Sequence, residues 1–470
     1  MDQLQTPAIP QVYVLWHPRC PLGEPLAKRI YEWLRPGNGL GPEVFYRSLP
    51  APRAPLDGLP PLLPDETRFG EKASPKQRSK FSNLHILLPL IDENMVASMT
   101  WGRWLEDLMK SSAIPRTILP VALDATAYNM PATLRVLNYL RPSGLPLPAG
   151  AGGAAFEMVV RSLLKQVTEA LCAVMLPRPA AAATAPSAAP PPKINVFLSH
   201  AKQDGTVPAR RLRDYIYSQT QLAAFYDEND IAFGSSFASV IQKTLVSQDT
   251  AALVACRSTR YAGRPWCRRE VSLFRKPRKS PQSPAGPERW QIYPSLVVEA
   301  MEGREFSPGI PEFGNSPVIR WNSDDRGMEE LIITTVIRDA MLASYHAALG
   351  AKVPATANQI VINWIPDPTT LLHIPAIRSG TAECAVFYPG RGLSGLDLDA
   401  LDEFFPRVTF HCFEDVLTTG LNGAKGSADS NVTGVPAEVS PAPQPARRPP
   451  KRRPARPLRR ARRTRTSSRA

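Results

Sequence analysis

One stretch of this 470-residue chain, WCRRE, sets an aromatic ring and a carboxylate four residues apart, Trp266 and Glu270. On an α-helix these two positions share a face, so ring and acid can line one cleft. The plain alternative is a solvated acid that offsets Arg268 and Arg269 on a surface helix, the ordinary place for a glutamate. Other reactive side chains form no comparable group. Cys20, Cys172, Cys256, Cys267, Cys384 and Cys412 show no C-x-x-C and no paired spacing, which fits a reducing compartment without a zinc site. His17 near Cys20 and His411 beside Cys412 are isolated neighbours, and neither pair is assigned a metal or a nucleophile.

The elements that must position Glu270 alternate strand and helix patterns. KINVFLSH is a first strand, PARRLRDYIYSQ a helix, LAAFYDE a second strand, SSFASVIQKTLVSQ a helix and AALVACRS a third strand. WCRREVSLFRK follows as the third helix, IYPSLVVEA and PVIRW as strands, and MEELIITTVIRDAMLASYHAAL as a closing helix. Continuous apolar strands between amphipathic helices predict a doubly wound, flavodoxin-like parallel sheet covered on both faces. Ser199, His200 and Lys202 then fall just past strand one, at the sheet edge where such folds bind ligands. After strand two comes a polar loop with Asp227, Glu228, Asn229, Asp230, Gly234, Ser235 and Phe237. Gly234 permits a tight turn there, and Ser235 fits the N-cap of the next helix.

A strand ending in F-x-S-H, an F-x-D…G loop and then W-C-x-x-E, in this order over about eighty residues, resemble a Toll/interleukin-1 receptor (TIR) domain of the prokaryotic NAD-cleaving type. The resemblance implies an NAD+ glycohydrolase or cyclase that acts on assembly with other TIR domains, in signalling or anti-phage defence. It implies Glu270 as the catalytic carboxylate, and Trp266 packed on the nicotinamide-side ribose or ring. The loop with Asp230, Gly234 and Phe237 would cover the nucleotide and dock a neighbouring TIR domain, while Ser199 and Lys202 would reach phosphates or adenosine. NAD+ would be substrate, with no bound cofactor. The other reading is a non-catalytic TIR scaffold, because the same W-C pair packs the third helix in TIR domains without activity.

Residues 11–176 repeat the skeleton, with strands QVYVLW, EVFYRS, LHILLPLI and RTILPVAL and a long closing helix. This half resembles a diverged TIR-like domain, 1–176, placed ahead of the TIR domain, 193–349; a generic Rossmann-like domain is the alternative. Its third helix has Trp101 and Trp104, but Leu105 and Leu108 occupy the positions four further on and Glu106 is out of register. It is expected to be catalytically silent, a site for a nucleotide or protein trigger or an assembly surface.

A Pro/Ala linker, 177–192, separates the two. Residues 350–418 read as a partial third α/β segment, in which Gly390, Gly392 and Gly395 spell G-x-G-x-x-G with Glu414 nineteen residues on. That pattern fits a dinucleotide fingerprint; its shortness, in a fragment with too few strands to bury a sheet, favours a Gly-rich turn. Residues 419–470 read as a disordered tail. The net charge of +14 is misleading, because 447–470 carry twelve Lys/Arg and no Asp/Glu, and the body is close to neutral. Such a body argues against a large nucleic-acid face, and a solvated tail is preferred to one anchored on nucleic acid or anionic membrane. The absence of a basic n-region with an apolar h-region predicts a cytoplasmic protein.

Overall fold

Apolar runs too short for helices form parallel strands, and the amphipathic stretches between them cover the sheets. The computed structural model describes residues 8–36, 40–47, 60, 63, 67–68, 71–72, 81–110, 114–142, 148, 150–175, 195–220, 222–225, 250–280, 286–301, 308–322, 325, 327–380, 383–390 and 392–419. All belong to Met1–Ala424, one of two units into which the chain divides; the other is Lys425–Ala470. The Pro/Ala linker and the basic tail lie outside the described residues.

The first sheet holds β1 (Pro10–Trp16), β2 (Glu43–Arg47), β3 (Leu84–Ile91), β4 (Arg116–Ile118) and β5 (Val121–Ala122). The order is β2-β1-β3-β4, all parallel, with β5 also on β3. The predicted strand RTILPVAL is two short strands, because Pro120 between them has no N–H for a ladder. Helices α1 (Gly23–Leu34), α2 (Met99–Lys110) and α3 (Gly153–Met175) complete this layer system.

The second sheet starts with β6 (Asn195–His200), β7 (Ala223–Phe225) and β8 (Thr250–Arg257), with α4 (Thr206–Gln219) and α5 (Pro265–Arg275) between or after them. The chain then leaves this sheet for β9 (Arg278–Lys279) and β10 (Glu288–Gln291), and returns with β11 (Ser295–Met301), β12 (Val318–Asn322) and α6 (Met328–Gly350). The order β12-β11-β8-β6-β7, parallel throughout, is the expected doubly wound flavodoxin-like arrangement.

The third sheet differs from the sequence reading. β13 (Gln359–Ile362), β14 (Cys384–Tyr388) and β15 (Val408–Cys412) continue the order β9-β10-β13-β14-β15. Two of its five strands therefore come from inside the stretch read as the TIR domain. β10 runs parallel to β13 from Glu288↔Ile360 to Trp290↔Ile362, and β9 closes on β10 antiparallel. The segment from 350 is short of strands in sequence but not in space.

One buried cluster joins the first two sheets, with Val12, Val14, Leu26 and Ile30 from one and Val196, Leu198, Val254 and Val298 from the other. Its bridge is α3 packed on α6. The Cys172 thiol donates to the Ile337 carbonyl at 3.3 Å, Trp33 Nε1 donates to Thr168 Oγ1 at 2.9 Å, and the Arg338 guanidinium lies 4.3 Å from the Trp33 ring centre. Helix α6 also touches β13, and its buried residues, from Ile332 to Gly350, fall on most of its faces, as packing against several neighbours requires.

Within α6, His346 is buried and its pKa is lowered to about 4, by burial first and against the opposing backbone of Asn363 and Leu40. A folded-state value below the ordinary ~6.5 favours the neutral ring. Its contribution is therefore complete above about pH 6.5 and lost as pH falls through 4. Denaturant unfolding at pH 7 and pH 4.5 should show about 2 kcal/mol less stability at the lower pH from this residue, and a correspondingly smaller drop in His346→Gln.

Candidate active site

Helix α5 places its candidate side chain by periodicity. Cys267, Glu270, Val271 and Phe274 form the buried stripe of the helix, the i, i+3, i+4, i+7 pattern of a core-facing surface. A glutamate thus occupies a core position. Its exposure is 7%, and burial of a carboxylate requires polar partners. The strand supplies one: Ser199 Oγ donates to Glu270 Oε2 at 2.5 Å, and Tyr261 Oη lies 2.6 Å from the same Ser199 Oγ.

The direction of this relay follows from proton counting. Ser199 has one hydroxyl proton and gives it to the carboxylate, so it accepts from Tyr261. The Tyr261 phenol is held well above its ordinary pKa, first by burial and then by Cys267 and Glu270, and so remains a donor. Tyr261 is fully enclosed and stacks on Phe313, ring centres 5.7 Å apart. The Cys267 thiol donates to the His200 carbonyl at 3.4 Å, which pins α5 to the end of β6. Ser199→Ala removes the donor from a buried carboxylate; a loss of about 1–3 kcal/mol is expected in denaturant unfolding, with Ser199→Thr recovering most of it.

The neighbouring loops are organised by Asp204, which accepts from Ser258 Oγ at 2.6 Å and from the Arg260 amide at 2.8 Å. Farther along the same sheet edge, paired strands align Arg257, Glu299 and Arg320. The buried Glu299 takes Arg257 at 2.6 Å and Arg320 at 3.2 Å.

The residues singled out in sequence are placed differently from one another. Glu270 and Ser199 meet directly, with Ser199 turned inward and 1% exposed, whereas the resemblance implied that it would reach phosphates or adenosine. A small hydroxyl at a strand end is the group able to solvate an enclosed carboxylate, and it is spent there. Trp266 is 44% exposed, with the Arg269 guanidinium 5.4 Å from its ring centre. Lys202 is exposed, and its carbonyl accepts from Thr206 Oγ1 at 2.8 Å. Asp230, Gly234 and Phe237 lie outside the described residues. Tyr261 was not singled out; its only sequence signal is an aromatic between a strand end and the helix bearing the acid.

In the first sheet the residue before the strand-end histidine is Trp16, where the second has Ser199. Trp101 is completely buried and Trp104 nearly so, in T-shaped contact at 5.5 Å. Glu106 stays near the surface and accepts from Thr133 Oγ1 at 2.8 Å. Core indoles thus stand where the second sheet has its polar relay.

In the third sheet, Gly390 and Gly392 take φ of 104° and 110°, which only glycine adopts freely. They lead into a helix, α7 (Gly395–Phe404), capped by Ser394 Oγ accepting from the Asp397 amide at 3.2 Å. The adjoining cleft of about 620 Å³ is lined by Asp367 and Asp397. Two carboxylates oppose a pyrophosphate there, so the Gly-rich turn is the reading the geometry favours. Glu414 is exposed on the helix after β15. Among the described residues, no cluster of His, Cys, Asp and Glu has a metal-binding arrangement, and no helix is long and apolar enough to cross a membrane.

Comparison with curated proteins gives no match, and comparison with solved structures gives none. The family model for the TIR domain matches residues 196–306, a span that begins in β6 and takes in Ser199, Tyr261 and Glu270. The strand order of the second sheet, the W-C-x-x-E helix with its buried stripe and this match agree that the chain carries a TIR domain.

Proposed function

We propose that the TIR domain, within 193–349, cleaves the nicotinamide–ribose bond of NAD+, with Glu270 as the catalytic carboxylate. The observation that carries this reading is a carboxylate held in the protein interior, on the Tyr261–Ser199 relay, at the ligand-binding edge of a doubly wound sheet. Nicotinamide leaves as a neutral base, so the barrier lies in the positive charge that builds on the ribose. A single carboxylate that holds the ribose hydroxyls meets that charge without needing to protonate the leaving group. Water adding at the anomeric carbon then gives ADP-ribose; attack by the substrate's own adenine gives a cyclic isomer. Incubation of the full chain with NAD+, followed by chromatographic separation of nicotinamide, ADP-ribose and cyclic product, tests the reading and decides between hydrolase and cyclase.

Assembly with other TIR domains switches this activity on, in a cytoplasmic signalling or defence role. Residues 1–176 act as a silent, diverged TIR-like unit that senses a trigger or builds the assembly; the indoles of Trp16 and Trp101 in place of a polar relay support this. A scaffold without turnover is the second reading. The outward-facing Trp266, 44% exposed, favours it, because an exposed indole on a helix offers a contact surface to a neighbouring domain.

A further inference from the structure

Two loops at neighbouring strand ends, after β6 and after β8, bring two guanidiniums together. Arg260 Nη1 and Arg264 Nη2 both donate to Gln203 Oε1, at 2.9 and 2.5 Å. Two guanidiniums are therefore neighbours around one neutral oxygen, and neither side chain has a carboxylate partner among the described residues. Asp204, close by, accepts from Ser258 Oγ and the Arg260 amide, neutral donors that leave its charge in place, so it offsets one of the two cations. Arg268 is neutralised by Glu312 at 2.6 Å, and Arg269 is exposed over Trp266.

Holding like charges together costs free energy unless an anion completes the group. The remaining guanidinium N–H groups have the fork geometry that matches phosphate oxygens. Arg264 is also the N-cap of α5 and makes no side-chain cap bond, so the positive end of the helix dipole adds to the same region. Tyr261, the residue after Arg260, donates to Ser199 and so ties this loop to Glu270. The loop that carries both guanidiniums is thus linked through Tyr261 and Ser199 to the carboxylate, an arrangement that suits a ligand with a diphosphate next to a ribose.

We propose that Arg260 and Arg264, held by Gln203, bind the diphosphate of a nucleoside diphosphate ligand. This deepens the reading of Glu270 as the ribose-binding carboxylate and rests on it for the identity of the ligand. Calorimetric titration of the full chain with ADP-ribose, and separately with inorganic pyrophosphate and adenosine, tests it. Arg260→Gln and Arg264→Gln, both exposed or half-exposed, each weaken ADP-ribose about tenfold, the double variant more, and Arg269→Gln much less. Adenosine affinity is unchanged in all of them. Pyrophosphate binding without preference for ADP-ribose would assign the site to free diphosphate and overturn the nucleotide assignment. Equal ADP-ribose affinity in wild type and double variant, or no binding to wild type, overturns the proposal itself. NAD+ turnover that ignores both arginines sinks the diphosphate site but leaves Glu270 chemistry standing. Arginine-dependent ADP-ribose binding without any NAD+ turnover keeps the site and sinks the reaction.

Discussion

Glu270→Gln in the otherwise intact chain lowers NAD+ consumption by about 10³-fold, measured as nicotinamide released per enzyme at saturating NAD+. The amide keeps the size of the side chain and an oxygen able to accept from Ser199 Oγ, the bond seen at 2.5 Å. It removes the charge that opposes the developing cation. The loss is therefore expected in kcat, with unfolding free energy changed by no more than about 1 kcal/mol. Glu270→Ala abolishes turnover too but also opens a void beside the Ser199 and Tyr261 hydroxyls. A Glu270→Gln protein with full activity would remove the carboxylate from the mechanism and leave it a structural acid.

Phe387→Ala has the largest expected effect on stability, about 3–5 kcal/mol. Phe387 is completely buried on β14, in a cluster with Val353, Val361, Phe413 and Val416. If residues 350–418 were a separate fragment, this loss would appear as an early transition that spares the TIR domain. The third sheet instead takes β9 and β10 from between α5 and β11. Arg289 donates to the Gly350 carbonyl, and Asn363 Oδ1 accepts from the Ile292 amide at 2.8 Å. Melting the third sheet frees the chain directly after the helix that bears Glu270. A single cooperative transition, shifted as a whole, is the expected calorimetric result; two transitions, with nicotinamide release unaffected after the first, would contradict the coupling.

The sheets were legible where the chain itself carries the pattern. LHILLPLI is the strand Leu84–Ile91 to the residue, because a run buried on both faces has no polar alternation to blur its ends. Glu270 stood out as a residue type at a spacing. Its partners did not, since no local pattern says that a serine at position 199 and a tyrosine at 261 meet the same carboxylate. The β9–β10 pair was invisible for a related reason. Pro281, Pro284 and Pro287 fall within 278–291, and these strands are made by pairing with β13 rather than by apolar periodicity. Trp266 shows the limit of helical spacing: it lies one turn from Glu270, yet in the first turn of α5 its side chain reaches solvent while Glu270 is enclosed.

The most direct measurement is nicotinamide release from NAD+ by the full chain, immobilised at high surface density to bring TIR domains together, with Glu270→Ala treated identically. Cleavage by Glu270 on assembly predicts density-dependent release from the wild-type chain and none above background from the variant. Equal release from both, or none from the wild-type chain at any density even with lysate from infected cells as a source of trigger, would contradict it.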